Sequence, residues 1–292
     1  MLTEPLRPII YDLHSHSQAS DGVLSAQDLV LRACERGVTV LAITDHDTTA
    51  ALATAQAAID THNLDLTLVS GVEISTLWEN HEIHIVGLGF DPHHPAMKEL
   101  LHQQFQRRED RAVMIAERLA KAGIADTLAG AREEAGDGQI TRAHFARYLI
   151  RLGKADTMAQ VFKNYLSRGK TGYVPAQWCS IPAAIEAIHL AGGAAVVAHP
   201  ARYQLSTKWL KRLLAYFAEV GGDAMEVAQC QQAPNERQQL ARYALDYGLS
   251  ASQGSDFHQP CAWIELGRKL WLPKDVVPVW EKFPALAAPD RG

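Results

Sequence analysis

The 292-residue chain predicts an α/β barrel, closed or nearly closed, that is interrupted by a helical insertion. Three observations carry this expectation. Short apolar runs alternate with stretches of helical periodicity, one central segment abandons that alternation, and histidines and acids cluster just after the apolar runs. Alternation of strand and helix implies a mainly parallel sheet. In α/β barrels the functional groups gather where strands end.

The elements follow in order. Apolar runs at 9–13 and 38–44 have strand length, and spacing near 3.6 residues over 27–36 places a helix between them. A second helical pattern at 50–62 leads to runs at 66–69 and 82–88. Residues 99–175 then read as successive amphipathic helices at 100–122, 128–135, 142–152 and 158–167. Alternation resumes with helix 181–191, strand 194–198, helix 207–220, strand 225–228, helix 235–247 and strand 249–253. After Leu272, the prolines Pro273, Pro278, Pro284 and Pro289 predict a poorly ordered end. The barrel domain is therefore expected over 1–98 and 176–292, with 99–175 as an insertion leaning over its mouth as a substrate-binding cap.

Composition narrows the function classes. With 47% hydrophobic and 21% charged residues the chain reads as an ordinary soluble globular protein. No apolar run approaches the roughly 20 residues that span a bilayer, and no leader pattern opens the chain, so a cytoplasmic protein without membrane contact is expected. Cys34, Cys179, Cys230 and Cys261 are too widely spaced for a metal knuckle or a disulfide framework and predict reduced, mostly buried thiols. The net charge of −5 argues against nonspecific duplex binding. Residues 99–175 nevertheless hold 13 Lys+Arg against 9 Asp+Glu, which concentrates the basic excess in the insertion. Nothing implies an obligate protein partner.

Six histidines and four acids follow or interrupt the apolar runs: His14, His16, Asp21, Asp45, His46, Glu73, His84, His199, Asp256 and His258. Imidazole and carboxylate together are the ligand set of divalent manganese, iron or zinc, and ten such groups exceed the needs of one ion. His14 and His16, like Asp256 and His258, are two residues apart, so in an extended chain both members face the same side. Asp21 lies in an Asp-Gly turn that can return its carboxylate to the mouth, although such a pair is often only a turn. Asp47 can serve as a helix N-cap. Glu73 and His84 interrupt apolar strand contexts, where an unpaired charge is expensive and ligation removes the expense. Glu226 reads equally as a group orienting a ligand or as structural. The other histidines, at 62, 81, 93, 94, 102 and 189, lack partners at useful spacing.

The motifs His14-x-His16, Thr44-Asp45-His46, Gly71-Val72-Glu73, His84, Ala198-His199-Pro200 and Gly254-Ser255-Asp256-x-His258 resemble the PHP (polymerase and histidinol phosphatase) family of phosphoesterases, in order over nearly the whole chain. Within the insertion, Thr141-Arg142-x-His144-Phe145-Ala146-Arg147 and Gly169-Lys170-x-Gly172-Tyr173 are similar to the branch of bacterial nucleoside 3',5'-bisphosphate phosphatases and 5'-to-3' exoribonucleases. The resemblance implies a distorted (β/α)7 barrel with three divalent ions, usually manganese, with iron or zinc at some sites. By motif position it implies one ion held by His14, His16, Glu73 and Asp256, a second by Glu73, His84 and His199, and a third by Asp21, His46 and His258. Asp45 stands outside these sets.

Adjacent ions activate a water and neutralise charge on a phosphoryl group attacked in line. The expected substrates are RNA with a 5'-phosphate, which would lose 5'-mononucleotides, and nucleoside 3',5'-bisphosphates such as pAp, which would lose the 3'-phosphate. Cationic anchors for the 5'-phosphate are sought in Arg142, Lys170, His144, Arg147 and, from the barrel, Arg202. Tyr173 or Trp178 offers a stacking surface or simply core packing. Two other readings stand beside this one: a small-metabolite phosphomonoesterase of the histidinol-phosphatase type, and a noncatalytic metal-binding interaction module.

Overall fold

The structure, a computed structural model, describes residues 8–289, so the outermost residues of both expected barrel segments, 1–7 and 290–292, lie outside the described residues. Its sheet runs in the order β1 (Tyr11–Asp12), β2 (Val40–Ile43), β3 (Thr67–Trp78), β4 (His81–Leu88), β6 (Ala194–Val197), β7 (Ala224–Ala228) and β8 (Ser250–Gln253), with a short β5 (Cys179–Ser180) added to the far end of β3. Main-chain hydrogen bonds from Leu13 N to Gln253 O (3.1 Å), from Asp256 N to His14 O (2.9 Å) and from His16 N to Phe257 O (2.8 Å) join the last strand to the first. The sheet is thereby nearly closed into a barrel.

β1, β2 and β3 are parallel, as are β6, β7 and β8, each linked by helices: α1 (Ala26–Glu35), α2 (Ala51–His62), α7 (Ile181–Leu190), α8 (Thr207–Glu219) and α9 (Pro234–Asp246). The apolar stripes of these helices meet the outer face of the sheet in two clusters, one around Leu29, Val30 and Ile59, the other around Ile185, Ile188, Leu214 and Phe217.

β3 and β4 depart from the expected parallel scheme. Residues 67–78 form one strand that turns back through Glu79 and Asn80, both left-handed at φ 48° and 65°, into an antiparallel hairpin with β4. The polar residues Glu73, Ser75 and Thr76 interrupt the apolar pattern there, which is why only 66–69 reads as strand from sequence. β4 is antiparallel to β6 as well, so two antiparallel pairings distort the barrel. The hairpin overshoots β2, whose register with β3 ends at Ile43 opposite Ser70, and carries Glu73 and His84 onto the mouth.

The helical segment contains α3 (Pro95–Lys121), α4 (Thr127–Ala135), α5 (Arg142–Arg151) and α6 (Met158–Val161), the last running into a π-turn at Phe162–Leu166. The boundary drawn at 99 falls inside α3. Met97 and Leu100, near its start, pack with the barrel helices, whereas Ala112, Ile115 and Leu119 join Phe145, Leu149, Val161 and Leu166 in a separate core.

The proline-containing end is ordered, contrary to expectation. α10 (Val279–Lys282) and a 3-10 turn at Pro284–Leu286 place Val279 and Leu286 among Tyr11, Leu13, Val40, Val86 and Ala224. Trp280 stacks on Tyr11 at 4.0 Å between ring centroids. Prolines stop a long helix but do not prevent a segment from burying apolar side chains in an open barrel end. No helix among the described residues is long and apolar enough to cross a membrane.

Candidate metal centre

Every acid and histidine singled out at the apolar runs is brought to one end of the barrel. His14 and His16 follow β1, His46 follows β2, Glu73 (opposite Val86) and His84 (opposite Ser75) meet diagonally across the hairpin, His199 follows β6, and Asp256 and His258 follow β8. Asp21 sits in the turn after β1. Asp45 accepts from Ser17 N (2.8 Å), Ser17 Oγ (2.6 Å) and Ser20 Oγ (2.6 Å), so it fixes the turn that bears Asp21 and does not face the other acids.

The donor atoms lie close together. His14 Nε2 and His16 Nε2 are 3.1 Å apart, and each lies 3.3–3.4 Å from Glu73 Oε2 and from Asp256 Oδ1. Donors bound tetrahedrally at ~2.1 Å would be about 3.4 Å apart, so His14, His16 and Glu73 can share one divalent ion, and Asp256 Oδ1 lies within the same range of both imidazoles. The other Glu73 oxygen, Oε1, lies 2.9 Å from His84 Nδ1 and 2.8 Å from His199 Nε2. His258 Nε2 lies 3.3 Å from Asp21 Oδ1, and His46 Nε2 lies 3.7 Å from Asp21 Oδ2. His16 Nδ1 is 3.8 Å from the same carboxylate. Glu73 can thus present one oxygen to each of two donor groups. Buried His199 Nδ1 has no hydrogen-bond partner, and His46 Nδ1 lies 3.1 Å from Glu73 Oε2.

Burial alone would protonate the carboxylates, but the surrounding imidazoles outweigh it and hold Glu73, Asp21 and Asp256 well below the usual range. Among the imidazoles burial wins at His46, which falls to about 3, while Asp256 and Glu73 overcome it at His16, which rises to about 10. Imidazole and ionised carboxylate donors this close together can hold divalent ions. His199 and Asp256 hold left-handed backbone at φ 29° and 53°, a conformation unfavourable for side-chain-bearing residues and concentrated at functional sites.

Glu226, undecided from sequence, orients two ligand candidates. Its Oε1 is 2.5 Å from His14 Nδ1, and its Oε2 accepts from His199 N at 2.6 Å. Asp47 is no helix cap, because the N-cap of α2 is Ala50 and makes no side-chain bond. Left-handed at φ 51°, Asp47 instead accepts from Arg108 Nε (2.8 Å), Gln104 Nε2 (3.0 Å) and Ser75 N (2.8 Å), tying α3 to the hairpin.

Beside the cluster, a cleft is lined by Asp21, His46 and His84 together with Arg108, Arg111, Arg142 and Trp178. Arg142 is a third exposed and makes a loose contact of 3.4 Å with Glu82. Arg108 and Arg111 escaped the sequence reading because basic residues on a long amphipathic helix ordinarily face water. Their clue was a Trp-and-acid pairing distant in sequence, with guanidinium carbons 4.9 and 5.2 Å from the Trp178 ring centroid. Trp178 is buried between them and donates to Glu82, so packing is its role here.

The other cationic candidates are dispersed. His144 is buried, and its Nδ1 accepts from Thr141 N at 2.9 Å in the capping box of α5, which leaves it poorly placed to meet a phosphate. Arg147 donates to the main-chain carbonyl of Asp21, and Arg202 pairs with Asp256. Lys170 is exposed and does not line the cleft.

Comparison with known proteins agrees with this geometry. A solved chain described as an amidohydrolase from Chromobacterium violaceum, with bound sulfate and no metal, superposes with a TM-score of 0.88 at 39% identity, covering 96% of this chain and 98% of its own. A protein from Bifidobacterium adolescentis described as a metal-dependent phosphoesterase superposes with a TM-score of 0.74 at 26% identity, covering 95% and 96%. The 5'-3' exoribonuclease Rnm of Escherichia coli is 64% identical over 94% of this chain and 93% of its own length. The 3',5'-nucleoside bisphosphate phosphatase of Chromobacterium violaceum is 40% identical over 94% and 96%. The PHP domain model matches residues 12–167, which contain six of the nine ligand candidates, and with the barrel and these relatives it places the chain in the PHP domain family.

Proposed function

We propose that the chain is a metal-dependent phosphoesterase that removes 5'-mononucleotides from the 5' end of 5'-phosphorylated RNA and the 3'-phosphate from nucleoside 3',5'-bisphosphates. The observation that carries the reading is the juxtaposition of a cation-binding cluster with a cleft lined by three arginines, in a chain 64% identical to one named an exoribonuclease and 40% identical to one named a bisphosphate phosphatase. The three ligand sets are His14, His16, Glu73 and Asp256; Glu73, His84 and His199; and Asp21, His46 and His258. Manganese suits these mixed imidazole and carboxylate donors, and iron or zinc can occupy some of the sites. Bound there, divalent ions supply Lewis acidity and an activated water.

The protein's own groups do the rest. Glu226 and the Asp45-fixed turn hold the donors in place, and Arg142, a third exposed in the cleft, receives a 5'-phosphate at a fixed distance from the bond to be broken, while Arg108 and Arg111, paired with Asp47 and Glu82, hold the cleft wall. The helices over 99–175 act as the cap that supplies Arg142. The four unpaired cysteines fit a reducing compartment such as the cytoplasm.

Product analysis with Mn(II) tests the reading. End-labelled RNA should release 5'-mononucleotides from its 5' end, and pAp should yield AMP and phosphate. Accumulation of internal fragments, or faster attack on 5'-hydroxyl RNA, overturns the polarity. In the same assay Arg142→Ala should lower the preference of kcat/KM for pAp over 3'-AMP by about ten- to a hundredfold, the loss of one charge-assisted hydrogen bond. An equal loss on both substrates removes Arg142 from 5'-phosphate recognition.

A further inference from the structure

The cluster opens into two cavities, and Asp21 lines both. One is the arginine-lined cleft. The other is a groove of about 620 Å³ lined by Asp256 and His258 and by Val23, Ile150, Met158, Cys261 and Ile264, with Arg147 along it. A phosphodiester cut beside the cluster has two unequal parts. The leaving nucleotide needs a confined, cationic seat, which Arg142 in the cleft provides. The remaining strand needs an open path that starts at the same ions and tolerates any base. Apolar walls suit sugar and base faces without reading sequence.

The loop bearing Cys261 and Ile264 also bears Trp263, which is 72% exposed and the most exposed large apolar side chain among the described residues. Ile264 N donates to Cys261 Sγ at 3.2 Å, and Arg268 Nη1 donates to Ala262 O at 2.6 Å, so the loop is braced and carries a guanidinium. An exposed indole between two groove-lining residues, with Arg147 lining the groove and Arg268 following in the same loop, matches a single-stranded polyanion that stacks its bases.

We infer that this groove, with Trp263 on its outer loop, holds the RNA strand on the 3' side of the scissile phosphate. The inference rests on the phosphoesterase reading above. In the test, kcat/KM is measured for pAp and for 5'-phosphorylated oligoribonucleotides of increasing length, in wild type, Trp263→Ala and Cys261→Asp. Wild type should gain efficiency with length, and each variant should lose roughly fivefold or more of that gain relative to its own pAp value, as removal of one stacked base or addition of a repelling charge implies. Both altered side chains are exposed, and because Cys261 Sγ also accepts from Ile264 N, Cys261→Ser, which keeps an acceptor there without the charge, is measured beside Cys261→Asp. A wild-type length dependence in both Trp263→Ala and Cys261→Asp, or equal losses on pAp and RNA, overturns the groove assignment. Wild-type protein that hydrolyses neither substrate overturns the phosphoesterase reading instead.

Discussion

His14 can offer Nε2 to an ion only when its proton sits on Nδ1, and the Glu226 carboxylate 2.5 Å from Nδ1 enforces that tautomer. The same carboxylate fixes the strained backbone of His199 through its main-chain N–H. Glu226→Gln should therefore weaken metal binding by about ten- to a hundredfold while leaving all nine ligand candidates in place. Metal content after dialysis against graded chelator measures this directly, and unchanged occupancy removes the positioning role. At this scale the ligand candidates were legible because charged and imidazole groups in apolar surroundings are costly unless something binds them. Glu226 was not. A single acid in the run Ala224–Ala228 has the same signature whether it orients a neighbour or satisfies a local hydrogen bond, and its partners lie 212 and 27 residues away.

A buried ion pair ties α3 to the turn after β2, beside the Arg111–Glu82 and Gln104–Ser75 contacts that join the helix to the hairpin. Arg108 donates to Asp47 Oδ2 through Nε and Nη2, at 2.8 and 2.5 Å, and to Ser75 Oγ at 2.8 Å, with both charged side chains nearly inaccessible. Removing one partner of such a pair leaves a buried charge uncompensated. Asp47→Ala should destabilise the protein by about 3–5 kcal/mol, and the double variant Asp47→Ala/Arg108→Met should recover a substantial part of the loss. Urea unfolding of the metal-free protein reads both. A double variant no more stable than the single one would show that the pair acts through something other than its buried charge. Helix periodicity made α3, α4 and α5 legible to within a few residues, yet which residues join helix to barrel was not. Such contacts depend on tertiary approach, and an Asp followed by threonines before a helix carries the local pattern of a cap.

At the scale of the whole molecule, the barrel has a reactive end and a plugged end. Alternation predicted the first, because parallel strands aim their C-termini at one mouth. The plug was hidden because proline spacing advertises irregular chain, while what keeps 277–288 in place is nonlocal: the Ala251 N to Val277 O hydrogen bond at 2.8 Å, the Tyr11–Trp280 stack, and the burial of Val279 and Leu286. Leu286 is wholly inaccessible and packs in the same cluster as Leu88 and Val86 of β4, the strand that carries His84 two residues earlier. Leu286→Ala should cost about 2–5 kcal/mol through lost transfer energy and the cavity left behind. Because the plug lies at the opposite end from the ligand cluster, the variant should lower the midpoint of chemical unfolding while retaining the kcat and metal content of the wild type at temperatures where it is fully folded. Loss of bound metal in the folded variant would instead show that packing at the plugged end is transmitted along β4 to the hairpin, and that the two ends of the barrel are energetically coupled.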